Sequence, residues 1–452
     1  MVNLAKAFRY FRPFKVLVLG DFLLDTYTTG RVRRISPEAP VPVMEVIKHE
    51  ARPGGAGNVV LNLLSLGAEV FVAGRVGDDA DGQSLRHLLA QAHSCGLRTE
   101  IGYRTPMKNR LVAEGQQLIR VDFETITPLP IDSEEQILCE LAELIPQMQV
   151  VALSDYGKGF LTDRLIREVL QMAKQAAVPS IVDPKGIDFA KYRGATLIKP
   201  NVSEAYAAAK MGGALSLDQV AQKLLEETKA QYLLITRSEA GISVFDAQER
   251  SDFPVRSKEV KDVTGAGDTV LATLCLGVAN GLDIHTSTQL ANIAAGLAIE
   301  RFGCVQITLP ELASRLFEID CETKIFDESH LYALRQMLQG KRFSLLVLEK
   351  GQAMSLGLFR SIRSLSAAAE KFIIYAHQPH EELIHLLSSL QEVDHIILQS
   401  ESLKHLCDEI HPQEIYRLER DVPVRLEFGT NALRSLMDFV STRNGYVDDA
   451  TS

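Results

Sequence analysis

Asp268 closes the run Lys261-Asp262-Val263-Thr264-Gly265-Ala266-Gly267 and opens the apolar stretch at 269–279. Glycines at a helix start let main-chain N–H groups reach an anion, and the helix dipole favours negative charge there. A carboxylate one step inside such a turn repels an anionic ligand if binding is all the turn does. It makes sense as a general base that takes the proton of a hydroxyl attacking a phosphoryl group. An acidic first-turn residue after a flexible turn is the other reading.

Two further turns have the same character. In Pro-Gly-Gly-Ala-Gly-Asn (53–58), Gly54 and Gly55 open a second helical pattern with Asn58 in its first turn. The backbone there can approach a sugar closely while Asn58 hydrogen-bonds hydroxyls, or Asn58 is simply solvated at a capped helix start. In Lys-Pro-Asn-Val-Ser-Glu (199–204), Asn201 and Glu204 are three apart and share a helix face. They form either a capping box or a pair that steers magnesium and ATP phosphates through water, because magnesium keeps much of its hydration.

These turns need a rigid frame. Short Val/Ile/Leu runs at 15–21, 70–79, 150–159, 180–186, 195–201 and 232–241 alternate with amphipathic patterns such as 163–177 and 217–231. That alternation predicts βαβ units and a parallel sheet covered on both faces. Ligands of such sheets sit at the carboxyl ends of the strands, where the polar and glycine residues cluster. Residues 30–50 and 100–124 instead alternate polar and apolar side chains. They predict antiparallel strands off the main sheet, either a flap over the site or a sheet edge. A second α/β pattern follows residue 322, with strands at 343–351, 371–380 and 394–401. The expected domains are therefore 1–321 and 322–452.

Composition narrows the function classes. With 46% hydrophobic and 23% charged residues among 452, the chain reads as packed and globular. A formal charge of -10 argues against a general nucleic-acid or anionic-membrane surface. Six scattered cysteines without a C-x-x-C pair fit reduced thiols. No apolar run has the length of a signal peptide core or a membrane span, so the expected location is cytoplasmic.

The three glycine turns, in this order, resemble the ribokinase-like carbohydrate kinases over about residues 12–320. The resemblance implies a doubly wound sheet of about nine strands with a β-flap lid. It makes Asp268 the base and the N–H groups of Gly265, Ala266 and Gly267 the anion hole. Five longer segments sharpen it: RISPEAPVPV (34–43), RPGGAGNV (52–59), QQLIRVDFE (116–124), LSDYGKGFLT (153–162) and VDPKG (182–186). These look like the D-glycero-β-D-manno-heptose 7-phosphate kinases, the kinase halves of a bifunctional ADP-heptose synthesis protein. The implied substrates are ATP, with Mg2+ held through water near Glu204, and a sugar phosphate. By that likeness Asp25, Gly54, Gly55 and Asn58 contact the sugar. Asn201, Val202, Ser203, Glu204, Thr236 and Gly241 contact the nucleotide.

The substrate's own phosphate needs cations. Arg34, Lys108, Arg110, Arg120 and Lys158 are available, and Arg120 and Lys158 are the expected binders. Lys185 reaches either phosphate or an ion-pair partner. In the bifunctional relatives the second domain is a nucleotidyltransferase with a His-x-Gly-His motif. Here the matching run, 324–351, keeps Phe326, Asp327 and a single His330. The expectation is a Rossmann-like domain that has lost nucleotidyl transfer and serves folding, homodimer formation or docking of a separate nucleotidyltransferase.

Overall fold

The β-branched and leucine-rich runs are buried on both sides, as a parallel sheet between helices demands. β1 (Lys15–Gly20) is buried from Val16 onward. The computed structural model describes residues 11–210, 215–255, 260–320, 324–327, 330–399 and 403–426. Two compact units emerge, Arg12–Thr308 and Met1–Phe11 with Leu309–Ser452. The helix Leu309–Asp320 belongs with the second unit, whereas the sequence expectation ended the first domain at residue 321.

In the first unit the strands after β1 are β2 (Phe22–Ile35), β3 (Pro42–Gly55), β4 (Glu69–Gly77), β5 (His93–Glu100), β6 (Met107–Ala113) and β7 (Gln116–Phe123). Next come β8 (Val150–Ser154), β9 (Ser180–Asp183), β10 (Leu197–Ile198), β11 (Tyr232–Thr236), β12 (Ile242–Phe245) and β13 (Arg250–Phe253). Nine of them form one sheet in the order β13-β12-β11-β10-β9-β8-β1-β4-β5. It is parallel from β5 to β11 and antiparallel at β11/β12 and β12/β13. The two segments that broke the rhythm form a separate sheet, β3-β2-β6-β7. β2 and β3 are continuous 14-residue strands. Their inner ends, at Phe22–Leu24 and Gly54–Gly55, are buried, and their outer ends reach solvent at Ile35 and Pro42.

The second unit carries β14 (Ile325–Asp327), β15 (Phe343–Leu348), β16 (Lys371–Ala376), β17 (His395–Gln399), β18 (Glu414–Glu419) and β19 (Val422–Leu426). Their order is β14-β17-β16-β15-β18-β19, parallel except for β18/β19. Among the described residues no helix is long and apolar enough to cross a membrane.

Candidate active site

The strand ends of the first unit deliver the site. Asp21 follows β1, Asp25 lies in β2, Tyr156 follows β8, Asp183 ends β9, Lys199 follows β10 and Thr236 ends β11. Asp21 fixes the turn after β8 by accepting from the N–H groups of Tyr156 (3.0 Å), Lys158 (2.9 Å) and Phe160 (3.2 Å). That turn aims the Tyr156 hydroxyl at Asp268.

Asp268 sits in the first turn of the helix Ala266–Ala279 and is 6% exposed. One carboxylate oxygen accepts from Asn58 Nδ2 at 2.7 Å and the other from Tyr156 OH at 2.9 Å. Asn58 is in turn held by Asn62, whose Nδ2 donates to the Asn58 carbonyl at 2.9 Å. Burial pushes the Asp268 carboxyl up to about 6; Asn58 opposes this, Asp183 adds to it, and Tyr156 and Lys199 pull it back. A base must be ionised to accept a proton, so the acid limb of activity should reflect this group. We expect kcat/KM to fall about tenfold per pH unit below roughly pH 6. Tyr156→Phe should move that limb to higher pH, since it deletes a donor to the carboxylate; a pH–rate profile checks both.

The helix start beside Asp268 is built for an anion. Gly265 has φ 78°, in the left-handed region. The Ala266 N–H, expected in the anion hole, donates instead to the Val263 carbonyl at 3.2 Å. Gly265 and Gly267 N–H have no acceptor among the described residues. The Lys199 ammonium lies 3.6 Å from where a Cβ on Gly267 would stand, and it pairs with Asp183 at 2.9 Å. Lys199 is 3% exposed, so a cation is locked beside the turn.

On the sugar side, Gly54 is required by Asp25, because an added Cβ would stand 2.1 Å from Asp25 Oδ2. Gly55 carries φ 56° and N-caps the helix Ala56–Ser65. Arg110 pairs with Asp25, and its guanidinium lies over the Tyr27 ring at 5.3 Å. Arg120 is held by Asp122 at 2.8 and 3.0 Å, and Lys158 by Glu124 at 2.5 Å. The cations expected to bind substrate are thus already matched.

On the nucleotide side, a cleft of about 580 Å³ is lined by Thr236, Gly241, Ala266 and Gly267 together with apolar residues such as Val263 and Ile299. The capping box is what Asn201 and Glu204 form: Asn201 Oδ1 accepts from Glu204 N–H at 2.9 Å, and Glu204 Oε2 from Asn201 N–H at 3.1 Å. Glu204 Oε1 accepts from Lys185 Nζ at 2.9 Å. Lys185 is therefore an ion-pair partner, half exposed. Val202 packs against the core and Ser203 is exposed.

Sequence reasoning missed Tyr156, Asp183 and Lys199 as site members. Tyr156 stands in a segment that was singled out, but a tyrosine after a buried strand reads as core. Lys199 carried a usable signal: a lysine ending an apolar strand, before proline, is costly to bury without a purpose.

In the second unit the strand order reverses between β15 and β18, so the crevice opens after β15, at residues 349–355. Phe326 and Asp327, which the resemblance matches to the histidine motif region, lie in edge strand β14, and His330 precedes the helix Leu331–Leu338. His330 Nδ1 there meets Asp327 at 2.8 Å. Residues 349–355 contain no histidine. Ser355 caps the helix Leu356–Ala368 and donates to Asp421 Oδ1 at 2.8 Å. Asp421 is packed so closely that a Cβ on Gly357 would stand 2.1 Å from its own Cβ. A carboxylate of the chain itself thus fills the helix start that would attract a nucleotide phosphate.

Residues 14–312 match the pfkB family of carbohydrate kinases. Bifunctional protein HldE of Pelobacter propionicus is 37% identical over 428 residues, covering 88% of this chain and 86% of that protein. Bifunctional protein HldE of Campylobacter jejuni is 41% identical over 322 residues, covering 71% and 68%. Arabidopsis thaliana ribokinase, solved with ribose and ATP, shares the fold at a TM-score of 0.54 and 18% identity, over 68% of this chain and 99% of that one. Escherichia coli phosphofructokinase-2 does so at 0.57 and 18%, over 68% and 100%.

Proposed function

We propose that this chain, which belongs to the pfkB family of carbohydrate kinases, transfers the γ-phosphoryl group of ATP to the anomeric O1 of D-glycero-β-D-manno-heptose 7-phosphate. The products are the 1,7-bisphosphate and ADP. The observation that carries the reading is Asp268: a buried carboxylate held by Asn58 and Tyr156 beside the amides of Gly265 and Gly267. The five extended motifs at 34–43, 52–59, 116–124, 153–162 and 182–186, and relatives named HldE that share most of the chain, support the heptose substrate.

As the sugar O1 bonds to the γ-phosphorus, its proton passes to Asp268 and the bond from the γ-phosphorus to the β–γ bridging oxygen breaks. Gly265 and Gly267 N–H, with Lys199, hold the charge on the transferred group. The nucleotide lies in the cleft bounded by Thr236 and Gly241, and the sugar lies between Asn58, Asp25 and Gly54. A magnesium ion, when bound, would supply positive charge to offset the negative charge of the ATP phosphates. Both Glu204 oxygens are engaged within the protein, so Asn201 and Glu204 fit it through water rather than as direct ligands.

The second unit, on this reading, no longer transfers nucleotides, because the turn after β15 carries no histidine and its helix start is filled by Asp421. The test is product analysis by NMR. Incubation with heptose 7-phosphate, ATP and magnesium should give the 1,7-bisphosphate. Heptose 1-phosphate with ATP should give no ADP-heptose. Phosphorylation of another sugar in preference, or robust ADP-heptose formation, contradicts the respective half.

A further inference from the structure

The register of the lid sheet puts a set of charges on one face. Asp25 stands opposite both Arg52 and Lys108, Tyr27 opposite Glu50 and Arg110, Lys108 opposite Asp122, and Arg110 opposite Arg120. Cross-strand partners share a face. Most of these charges cancel: Arg110 pairs with Asp25, Arg120 with Asp122, and Lys48 with Glu50. Arg52 donates to the Cys304 carbonyl at 3.4 Å.

Lys108 has no carboxylate or carbonyl partner among the described residues. Its ammonium lies over the Tyr156 ring, 5.4 Å from the centroid, and the hydroxyl of that ring holds Asp268. A half-buried cation one aromatic ring from the catalytic carboxylate thus has no carboxylate in direct ion-pair contact among the described residues. Burial lowers the Lys108 ammonium below its usual range; Asp25 and, more weakly, Asp122 resist this, while Lys158 and Arg120 add to it. A dianion would relieve that cost.

We propose that Lys108 forms the subsite for the phosphate that the sugar substrate already carries. This rests on the sugar-kinase reading and sharpens it: the specificity for a phosphorylated sugar resides in the unmatched ammonium of β6, not in Arg120 or Lys158. A neutral sugar leaves Lys108 uncompensated and binds more weakly.

The test uses the full chain and two probes, heptose 7-phosphate and the same heptose without phosphate. Lys108→Met keeps the stem over Tyr156 and deletes the charge. Calorimetry should show the wild type preferring the phosphorylated sugar, and Lys108→Met losing roughly 10-fold or more in affinity for it, the scale of a charged hydrogen bond. Affinity for the unphosphorylated sugar should stay unchanged, and Lys108→Arg should restore much of the loss.

Equal losses for both sugars, or an effect on ATP alone, would overturn the assignment. So would wild-type protein that binds neither sugar or shows no preference between them. Binding that depends on Lys108 without phosphate transfer would leave the subsite standing and sink the proposed reaction. Transfer that is indifferent to Lys108 would do the reverse.

Discussion

Asp268→Asn should lower kcat by roughly 10³- to 10⁴-fold, the upper range for loss of a general base, with ATP binding intact. The variant is well suited to the site. An asparagine can accept from Asn58 through its oxygen and donate to Tyr156, whose hydroxyl is also an acceptor. The expected loss is therefore chemical and not structural.

Protein stability gives an independent control. The folded-state pKa of Asp268 is raised to about 6 by burial. A raised carboxyl contributes stability that is present below its unfolded value and lost as pH rises through the folded one. At pH 8 the wild type bears the cost of a buried charge that asparagine removes. The variant should melt no lower than the wild type at that pH while its turnover collapses. Steady-state kinetics beside thermal melts check both; a variant that is active, or inactive only because it unfolds, contradicts the base assignment.

Gly265→Ala is the second large effect, and it acts through backbone and geometry. A methyl group there would stand 2.9 Å from Asn58 Nδ2 and 3.2 Å from Cys304 Sγ, and Gly265 has φ 78°. An L-residue in the left-handed region costs about 1–2 kcal/mol before any clash. Asn58 must move, and Asn58 holds the catalytic carboxylate. The Gly265 amide, one of the two open donors of the turn, shifts with it. We expect kcat to fall about 10²- to 10³-fold, the scale of losing one preorganised donor, together with a lower melting temperature. Unlike Asp268→Asn, this variant should lose stability as well as turnover.

Much of this was legible before any coordinates. Val/Ile/Leu runs ending in polar turns located β1, β4, β8, β9, β10 and β11, because a doubly covered parallel strand leaves a continuous apolar signature. The alternating segments announced the lid, whose outer halves have one side in solvent. β12 and β13 were missed: both are four residues long, and the antiparallel return they make has no long periodic signal. Boundaries ran several residues too long, since the glycine and polar residues after each strand belong to ligand turns.

The site divides in the same way. Glycine turns advertise themselves locally, so Asp268, Gly265, Gly54 and Asn58 could be named from spacing. Ion pairing does not, because it depends on which strands lie side by side. Only the folded chain reveals that Arg120 and Lys158 have carboxylate partners while Lys108 has no ion pair among the described residues. The crevice of the second unit was likewise invisible in sequence. Nothing along the chain marks β15 rather than β14 as the strand at the point of reversal.

A crystal structure of the Asp268→Asn protein with ATP, magnesium and heptose 7-phosphate tests the central chemistry most directly. The sugar O1 should lie about 3 Å from the residue 268 side chain, with the γ-phosphate against the amides of Gly265 and Gly267. A reacting hydroxyl turned toward some other group, with that side chain facing neither sugar nor triphosphate, would contradict it.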